Sequence, residues 1–463
     1  MREVRIRDTM SGDLLTLDSE REVGIYACGP TVYSRIHIGN ARPFVIFTLL
    51  ARFLRSEGYQ AKLAINVTDV NDKIYTAAVE RGITSTELAG EMTAAYFEDT
   101  GRLGLGRPDS EPLATETIGP IVDLIATLVE EGHAYESGGD VYFSVRSFDG
   151  YGKLSHRPTE DMEQGEGDDA GSLKRDPLDF ALWKAKKEGE DSSWDSPWGP
   201  GRPGWHIECS AMAEAELGQP FTIHGGGSDL VFPHHENEIA QSEAARGRQL
   251  ARIWMHNGMI ETGAEKMSKS VGNIFQLSEA LDVYGPETVV AYLISGHYRQ
   301  PLAFGEGPLE QAAAGNERLR NFLRENPPAG GNESGSGQEA AAGEEVRAAG
   351  SRFRDALADD FNTPRAMREA FDLVRAVNQR PEDPALAGAG TELAGMLELV
   401  GLGSLAAGGD DGPDAAALKL LEARNTARAD KDWARADEIR DQLAGLGWEV
   451  RDGADGARLV PRS

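Results

Sequence analysis

Residues 22–70 contain two short apolar runs separated by one long amphipathic run. The first, "EVGIYACG" (22–29), runs into a Gly-Pro pair, which is typical of a strand that stops at a turn. "ARPFVIFTLLARFLRSEG" (41–58) has helical periodicity and a glycine stop, and "QAKLAINVTDV" (60–70) is rich in β-forming residues. Strand, turn, helix and strand in this order make a βαβ unit, so the sequence predicts an α/β fold with a parallel, Rossmann-type sheet.

An insertion is predicted to split this sheet into two halves. Residues 115–135 have the pattern of an amphipathic helix, and "AYESGGDVYFSV" (134–145) is typical of a hairpin. An acidic, glycine-rich loop is expected at 160–172. The pattern of strand, glycine loop and helix returns at 221–245, which indicates the second half of the sheet.

Two further breaks divide the rest of the chain. "NPPAGGNESGSGQEAAAGEE" (326–345) and "AAGGDDGPD" (406–414) have linker composition, and the chain between them is amphipathic and helical. A chain of 463 residues is too long for one core. The predicted domains are a first Rossmann half (1–114), a connective insertion (115–195), a second Rossmann half (196–315), a helical bundle (316–405) and a small C-terminal module (414–463).

The run His37-Ile38-Gly39-Asn40 lies where the first predicted strand gives way to the first helix. A helix N-terminus offers unpaired N–H groups and a partial positive charge, which suit phosphates. Gly39 would let a flat ring approach the backbone, and His37 can donate to phosphate oxygens. A polar cap at a helix start is the alternative explanation for the same residues.

"GAEKMSKSVGN" (263–273) places Lys266 and Lys269 in a predicted loop between apolar segments. Such a loop can close over a triphosphate and neutralise the charge that develops on its α-phosphate. The alternative is a solvated surface loop. Because the chain has only 11 lysines among its 47 basic residues, two lysines so close together favour the phosphate role.

Cys28 and Cys209 are the two cysteines of the chain. His234 and Glu238 are four residues apart on a predicted helix, so both project from one face. Two thiolates, an imidazole and a carboxylate suit Zn²⁺, and we expect one zinc ion per chain. A disulfide between the cysteines, which a reducing compartment disfavours, or two buried thiols beside a satisfied histidine would also explain these residues.

The composition limits where the protein works and what it binds. Its net charge of -29 and pI of about 4.7 indicate a solvated, self-repelling surface or adaptation to a salty cytoplasm. The sequence has no run of about 18 apolar residues that would predict a membrane span, and its N-terminal residues do not resemble a secretory signal. We therefore expect a cytoplasmic protein with no membrane partner, and the acidity by itself argues against nucleic-acid binding.

In combination, His-Ile-Gly near the N-terminus and Lys-Met-Ser-Lys-Ser far downstream resemble the class I aminoacyl-tRNA synthetases. Five stretches narrow this resemblance to the cysteinyl-tRNA synthetase family. They are "YACGPTVYSRIHIGNAR", "DFALWK", "GRPGWHIECSAM", "IHGGGSDLVFPHHENEIAQSEA" and "EKMSKSVGN". The resemblance runs in order from about residue 20 to residue 310, and it resumes in "DDFNTPRA" (359–366) and "ARADKDWARADEIRDQL" (427–443).

The resemblance implies roles for individual residues. The family's zinc ligands correspond to Cys28, Cys209, His234 and Glu238. Its catalytic residues correspond to His37, Asn40, Lys266 and Lys269, and its ATP-binding positions to Gly29, Thr31, His37, Gly39, Asn40 and Lys269. Its substrate pocket corresponds to Thr68, Trp205 and Asp229, although burial in the core is an alternative for Trp205. Three histidines, His206, His224 and His235, are expected either to support the metal ligands or to be core histidines with satisfied hydrogen bonds. The run Gly225-Gly226-Gly227 is expected to let the backbone approach the nucleotide.

The implied reaction has two steps. The carboxylate of cysteine attacks the α-phosphate of ATP, which Mg²⁺ accompanies, and the cysteinyl group then passes to the 3′-terminal adenosine of tRNA(Cys). Zinc would bind the substrate thiolate and so separate cysteine from serine, whereas ordinary pockets separate near-isosteres by only ~1–3 kcal/mol. Asn40 departs from the family, which usually has a second histidine at this position.

The resemblance puts anticodon recognition in the C-terminal module, and a monomer is expected. Residues 414–463 carry nine basic and ten acidic side chains, so this segment is nearly neutral within an acidic chain. Arg428, Trp433 and Asp437 fall where the family reads the anticodon. A tryptophan can stack on an unpaired base, while arginine and aspartate bond to base edges. A core Trp433 in an amphipathic helix is the alternative.

Two rival functions share part of this pattern. A ligase of the same superfamily that joins cysteine to an amino sugar would have the zinc and ATP sites but no C-terminal module. The Pro-Thr-Val-Tyr run after Cys28 and Gly29 also favours the synthetase. A non-catalytic, zinc-structured RNA-binding relative would not need the two ATP-site motifs. The sequence therefore favours a member of the cysteinyl-tRNA synthetase family.

Overall fold

The chain divides into two units, Met1–Ala406 and Ala407–Ser463. The computed structural model describes residues 2–18, 22–158, 162, 173–262, 265–266, 275–329, 342–406, 415–429, 432–446, 448–453 and 456–461. The described strands of the first unit are β1 (Arg5–Arg7), β2 (Leu14–Thr16), β3 (Val23–Ala27), β4 (Ala61–Ile65), β5 (Ala134–Ser137), β6 (Asp140–Phe143), β7 (Phe180–Ala185), β8 (Gly201–Pro203), β9 (Phe221–Gly227), β10 (Ala251–Asn257), β11 (Ile260–Thr262), β12 (Glu265–Lys266) and β13 (Leu302–Phe304). Its described helices are α1 (Ile38–Ser56), α2 (Asp72–Arg81), α3 (Ser85–Gly101), α4 (Ile118–Glu130), α5 (Trp205–Leu217), α6 (Glu236–Arg246), α7 (Leu277–Tyr284), α8 (Pro286–Leu293), α9 (Glu306–Glu325), α10 (Glu344–Ala358), α11 (Thr363–Gln379) and α12 (Ala389–Leu399).

The central sheet has the strand order β10-β9-β3-β4, and all of its pairs are parallel. Ile25 of β3 pairs with Leu63 on one side and with Ile223 on the other. Every residue of β3 is buried, as expected for a parallel strand that is covered on both faces. Because α1 connects β3 to β4, the predicted βαβ unit and the split Rossmann-type α/β fold are confirmed.

Helix α1 begins at a reciprocal cap that its own sequence provides. The Nδ1 atom of His37 accepts the N–H of Gly39 at 3.1 Å, and Oδ1 of Asn40 accepts the N–H of His37 at 3.3 Å. The helix is then buried along most of its length, with Phe44 and Phe47 almost fully inaccessible. Its start is therefore fixed both by the cap and by the apolar face that packs on the sheet.

A second, antiparallel sheet has the strand order β5-β6-β7-β8. Strands β5 to β7 lie within the predicted insertion, and β8 follows its predicted end. The hairpin predicted at 134–145 is confirmed as β5 and β6, which are joined through Gly138 and Gly139 at φ of 66° and 89°. The predicted helix at 115–135 is confirmed as α4. The acidic loop predicted at 160–172 lies outside the described residues except for Met162.

Helices α9 to α12 pack together, which confirms the predicted helical segment. Phe353 and Leu357 of α10 are inaccessible and belong to the same apolar cluster as Ile25 of the central sheet. Both predicted linkers lie largely outside the described residues, at 330–341 and 407–414. The boundaries of the predicted domains stay predictions.

The described residues of the second unit form two helices, α13 (Ala415–Ala429) and α14 (Trp433–Gly445), and two strands, β14 (Trp448–Gly453) and β15 (Gly456–Pro461). The strands form an antiparallel hairpin. A small core of Ala417, Ile439 and Leu443 joins the helices. In neither unit do the described residues include a helix with the length and apolarity that crossing a membrane requires.

Candidate active site

A cleft of about 380 Å³ lies at the carboxyl ends of β3, β9 and β10. This is the edge at which open parallel sheets bind their ligands. Many of the predicted site residues line it, namely Cys28, Gly29, Thr31, His37, Gly39, Asn40, Trp205 and Asp229. The segment from Asn257 to Ile260, which joins β10 to β11, closes one side of the cleft.

Four buried side chains meet where β3 reaches the cleft. Cys28 follows β3, Cys209 lies on α5, His234 precedes α6 and Glu238 lies on α6. One ligand atom from each lies within 4.8 Å of the others. The Sγ atom of Cys28 is 3.5 Å from Oε1 of Glu238, and Nε2 of His234 is 3.1 Å from the same oxygen. The structure therefore brings together the four residues that the sequence predicts as metal ligands.

One alternative and one expectation about these four residues are wrong. Both cysteines are free, so the alternative of a disulfide is excluded. His234 does not share a regular helix with Glu238, because it lies in a separate turn, Val231–His235, in which Phe232 has extended dihedral angles. The two side chains meet because that turn runs directly into α6.

The four residues fit a zinc ion by the chemistry of their donor atoms. Burial lowers the pKa of His234 to about 3, so its imidazole is neutral and can ligate a metal. Burial raises the pKa of the Cys28 thiol well above its ordinary value, so this thiol keeps its proton until a metal displaces it. A second grouping, in which His224 and His235 replace Cys209 and His234, is equally compact. Zinc favours the first grouping because that set contains two sulfur ligands.

Histidines surround the ligand set. The Nε2 atom of His224 lies 2.7 Å from Oε2 of Glu238, and Nδ1 of His206 lies 2.9 Å from Nδ1 of His234. Both are buried, and burial lowers the pKa of His206 to about 3. These contacts fix the orientation of a carboxylate and an imidazole that would otherwise rotate.

His235 connects the ligand set to a residue that the sequence reasoning missed. Its Nδ1 atom lies 2.7 Å from Nε2 of His256, and Nδ1 of His256 lies 2.8 Å from Oγ1 of Thr9. His256 stands near the end of β10, at the edge of the sheet where ligands bind. A histidine close to the end of a predicted parallel strand is the pattern that could have revealed it.

The start of α1 forms the other side of the cleft. A Cβ atom on Gly39 would lie 2.8 Å from the ring of His37, so any larger residue would displace that ring. Lys266 lies in the short strand β12, where it pairs with Glu261 of β11, so the prediction of a loop is wrong at this residue. Lys269 lies outside the described residues.

The predicted substrate residues differ in their exposure. Trp205 is 38% exposed and its ring centroid lies 4.4 Å from that of His234, so the alternative of a core tryptophan is wrong. Asp229 lines the cleft. Thr68 is buried, and its hydroxyl accepts a hydrogen bond from Nδ2 of Asn66 at 3.3 Å.

Asn66 is a second residue that the sequence reasoning missed. Its Oδ1 atom accepts the N–H of Gly29 at 2.9 Å and lies 3.7 Å from Sγ of Cys209. One carboxamide therefore contacts the predicted ATP site, the metal ligands and Thr68. A polar residue directly after the apolar strand β4 is the pattern that could have revealed it.

The three consecutive glycines do not form the predicted glycine loop. They belong to β9, and a Cβ atom on Gly225 would lie 2.0 Å from the ring of Phe47. Among the three, Gly227 lines the cleft. Gly225 therefore serves close packing between the sheet and α1, and Gly227 is the one that a nucleotide could approach.

Comparison with known proteins shows which family the chain belongs to. The family described as "tRNA synthetases class I (C) catalytic domain" matches residues 15–314. A cysteine–tRNA ligase from Azotobacter vinelandii is 48% identical over 95% of each chain, and one from Geobacter sulfurreducens is 46% identical over 98% of each chain. The chain belongs to the cysteine–tRNA ligase family.

Solved structures agree with this family at the level of the fold. The crystal structure of Mycobacterium tuberculosis methionyl-tRNA synthetase bound by methionyl-adenylate aligns with a TM-score of 0.61 at 14% identity. The alignment covers 87% of this chain and 94% of that chain. With the family match over residues 15–314, the predicted membership of the class I synthetases is confirmed.

Two further domain families match the C-terminal part of the chain. A DALR domain matches residues 352–402, and a "Cysteinyl-tRNA ligase anticodon binding domain" matches residues 410–458. In the second unit Arg428 is exposed near the end of α13, and Trp433, at the start of α14, is 58% exposed. Asp437 lies one turn after Trp433 and pairs with Arg440 at 3.2 Å. The alternative of a core Trp433 is therefore wrong.

Proposed function

We propose that this protein is a cysteine–tRNA ligase that activates L-cysteine with ATP and transfers the cysteinyl group to the 3′-terminal adenosine of tRNA(Cys). One observation carries the proposal. Cys28, which belongs to the buried cluster of thiol, imidazole and carboxylate groups, lines the same cleft as the capped start of α1 at His37. We also propose that the protein acts in the cytoplasm as a monomer.

ATP, accompanied by Mg²⁺, binds in this proposal against the N-terminus of α1. The partial positive charge of the helix end stabilises phosphate oxygens. His37 donates to those oxygens, and Gly39 gives the nucleotide room to approach. Gly29, Thr31 and Asn40 complete the proposed ATP site.

The reaction needs no nucleophilic side chain, because the carboxylate of cysteine itself attacks the α-phosphate and pyrophosphate leaves. Catalysis then consists of positioning and of charge stabilisation. Lys266 and Lys269 neutralise the charge that develops during the attack. The product of this attack is cysteinyl-adenylate. A ribose hydroxyl of the 3′-terminal adenosine of tRNA then attacks its carbonyl carbon, the bond to the phosphate breaks, and AMP leaves.

The amino acid is proposed to lie between the metal ligands and the nucleotide. Trp205, which lines the cleft beside His234, forms an apolar wall. The carboxylate of Asp229 binds the substrate ammonium group, and Thr68 is a further polar partner. This arrangement would direct the thiol toward the metal ligands and the carboxylate toward ATP.

Cys28, Cys209, His234 and Glu238 would hold one zinc ion. When bound, zinc prefers a thiolate sulfur to a hydroxyl oxygen, which supplies selectivity for cysteine over serine. His206 and His224 keep two of the four ligands in position through the contacts described above. The ligands are therefore set in place before the substrate arrives.

Anticodon recognition is proposed for Arg428, Trp433 and Asp437. Asp437 follows Trp433 by one helical turn, so the two residues share a face of α14. An exposed indole can stack on an unpaired base while the charged groups bond to base edges. The near-neutral charge of residues 414–463 removes part of the repulsion that an acidic chain exerts on RNA.

Two assays on the full chain test the proposal. The first is pyrophosphate exchange that depends on cysteine, and the second is charging of tRNA(Cys). We expect both activities. Exchange without charging would instead indicate the ligase that joins cysteine to an amino sugar, and the absence of exchange would indicate a non-catalytic relative.

A further inference from the structure

Arg42 is a charged residue that the proposed reaction does not use. It lies on α1, one turn after Ile38, and its side chain is fully buried. Within the described part of the chain, no aspartate or glutamate forms an ion pair with it. A buried, unpaired charge is expensive, so its neighbours have to compensate it.

Backbone carbonyl groups from two separate segments supply this compensation. The Nη1 atom of Arg42 donates to the carbonyl oxygens of Gly258, at 2.5 Å, and Met259, at 3.4 Å. Its Nη2 atom donates to the carbonyl oxygen of His297 at 3.3 Å. Burial lowers the pKa of Arg42 to about 10, so the guanidinium keeps its charge at neutral pH. The flat guanidinium thus joins α1 to two other stretches of backbone.

These two stretches lead into one small sheet. Gly258 and Met259 directly precede β11, and His297 lies between α8 and β13. β11 pairs with β13 in parallel and with β12 in antiparallel orientation, giving the order β12-β11-β13. Arg42 therefore binds the backbone at the start of the sheet whose edge strand carries Lys266.

The two backbone segments that Arg42 contacts are packed too closely to move independently of each other. A Cβ atom on Gly258 would lie 2.4 Å from the backbone of Gln300. The N–H of Gly258 donates to the carbonyl oxygen of Tyr298 at 2.7 Å, and the N–H of Leu302 donates to that of Met259 at 2.9 Å. A shift of Arg42 would therefore move both segments together.

We propose that Arg42 is a positioning residue for adenylate formation, which fixes the β12-β11-β13 sheet and its Lys266 relative to His37 and Asn40 at the start of α1. The inference rests on the proposed roles of those three residues toward ATP. Arginine is required because its planar fork reaches carbonyl groups on two segments at once, whereas the ammonium group of lysine is a compact point charge.

A positioning role predicts a particular kinetic change. The lysine acts on charge that develops during the attack, so misplacing its sheet weakens the transition state more than the bound ground state. A shift of about 1 Å in catalytic geometry can cost on the order of a hundredfold in rate. The value of kcat should therefore fall, while KM for ATP and for cysteine changes little.

Arg42→Met and Arg42→Lys test the inference in cysteine-dependent pyrophosphate exchange on the full chain, with rates expressed per folded protein. We expect Arg42→Met to lower kcat about a hundredfold, with both KM values within about threefold of wild type. The kcat of Arg42→Lys should lie between those of the wild type and of Arg42→Met. If the methionine variant does not fold, the lysine variant serves as the test. Higher KM values with an unchanged kcat would overturn the inference.

Arg52→Met is the matched control. Arg52 lies on the same helix and also donates to two backbone carbonyl groups, of Leu105 at 2.9 Å and of Glu398 at 2.7 Å. It is not among the described residues that line the cleft. We expect exchange within about threefold of wild type. A loss equal to that of Arg42→Met would mean that any bridge from α1 has this effect, and would overturn a specific role for Arg42.

A double-mutant cycle with Lys266→Ala separates positioning from general stability. If Arg42 acts through this lysine, Arg42→Lys should cost at least about fivefold less in kcat when Lys266 is already alanine. Equal costs in both backgrounds would overturn the inference and leave the proposed function intact. A wild-type protein without cysteine-dependent exchange would overturn both.

Discussion

The turn between β3 and α1 brings two kinds of chemistry to one cleft. Cys28 ends the strand among sulfur, imidazole and carboxylate groups, and His37 begins the helix where phosphate is expected. Contacts with neighbouring groups fix the position of each of these two side chains. His37 faces the N–H of Gly39, and Cys28 lies 3.5 Å from a carboxylate oxygen of Glu238. The closeness of these two sites is what an enzyme needs in order to join an amino acid to ATP.

The first prediction concerns Asn40, where the family usually has a second histidine. We expect Asn40→His to keep cysteine-dependent pyrophosphate exchange within about tenfold of wild type. Oδ1 of Asn40 accepts the N–H of His37 at 3.3 Å, and an imidazole nitrogen can accept the same bond. Steady-state kinetics with Asn40→Ala as a comparison checks this. A near-total loss of exchange in the histidine variant would show that Asn40 has a role of its own.

The second prediction concerns Trp433, which is 58% exposed. Stacking of a base on an aromatic ring contributes ~1–3 kcal/mol, so Trp433→Ala should raise KM for tRNA(Cys) by about 5- to 150-fold. Pyrophosphate exchange, which needs no tRNA, should not change. Trp433→Phe should retain most of the affinity because it keeps an aromatic face. Equal loss in both variants would argue against stacking.

At the scale of elements, the sequence is sufficient to predict the helices and strands whose pattern is local. The βαβ unit, the hairpin at 134–145 and α4 could all be predicted, because periodicity and turn residues determine them within a few positions. The prediction that the glycines of β9 form a loop is wrong. The ring of Phe47, which is distant in sequence, leaves no room for a side chain at Gly225. Lys266 was misplaced for a similar reason, since strand pairing with β11 decides its conformation.

Contacts between residues distant in sequence also limit how much of the site can be predicted. The cluster of Cys28, Cys209, His234 and Glu238 could be predicted because its residue types are chemically distinctive. Asn66, His256 and Arg42 were missed, because each acts through partners distant in sequence. The contact of His256 with Thr9 spans 247 residues, and that of Arg42 with Gly258 spans 216. No local pattern specifies such pairs.

The third prediction concerns the end of α1, where one carboxylate joins three parts of the first unit. Glu57 is 5% exposed and lies 3.2 Å from a guanidinium nitrogen of Arg2 and 2.8 Å from one of Arg354. We expect Glu57→Gln to lower the free energy of unfolding by about 1–3 kcal/mol, because a neutral amide cannot pair with the charges of Arg354 and Arg2, of which Arg2 keeps its contact with Asp355. Glu91→Gln, which removes an exposed pair with Arg81, is the control and should cost less than about 1 kcal/mol.

The pH dependence of this difference has a definite sign. Burial would raise the pKa of Glu57, but the hydrogen bonds and charges of Arg354 and Arg2 outweigh it, so the pKa is lowered. A lowered pKa in the folded state stabilises the protein above the unfolded value of about 4.3, and this contribution is lost as the pH falls below it. We expect the free energies of unfolding of the wild type and of Glu57→Gln, measured with denaturant, to differ fully at neutral pH. This difference should shrink below about pH 4.3. A difference that grows toward acid would contradict this account.

At the scale of the whole molecule, the net charge of -29 opposes RNA binding. We therefore expect recognition of tRNA to depend more on base contacts and shape than on phosphate contacts. Log KM for tRNA(Cys) plotted against log salt should have a slope below about 3, which corresponds to few released counterions. Charging assays between low and high potassium chloride measure this slope. A much steeper dependence would mean that phosphate contacts dominate after all.

The central claim is that zinc at Cys28, Cys209, His234 and Glu238 lets this protein distinguish cysteine from serine. The direct measurement is kcat/KM for each amino acid in pyrophosphate exchange, on zinc-loaded protein, after zinc removal and after zinc is restored. We predict one zinc per chain, a preference for cysteine above about a thousandfold, beyond the roughly 10–200-fold of ordinary pockets, and its reversible loss without zinc. Cys209→Ser should lose the metal and the preference together. A preference that is unchanged after zinc removal would contradict the account.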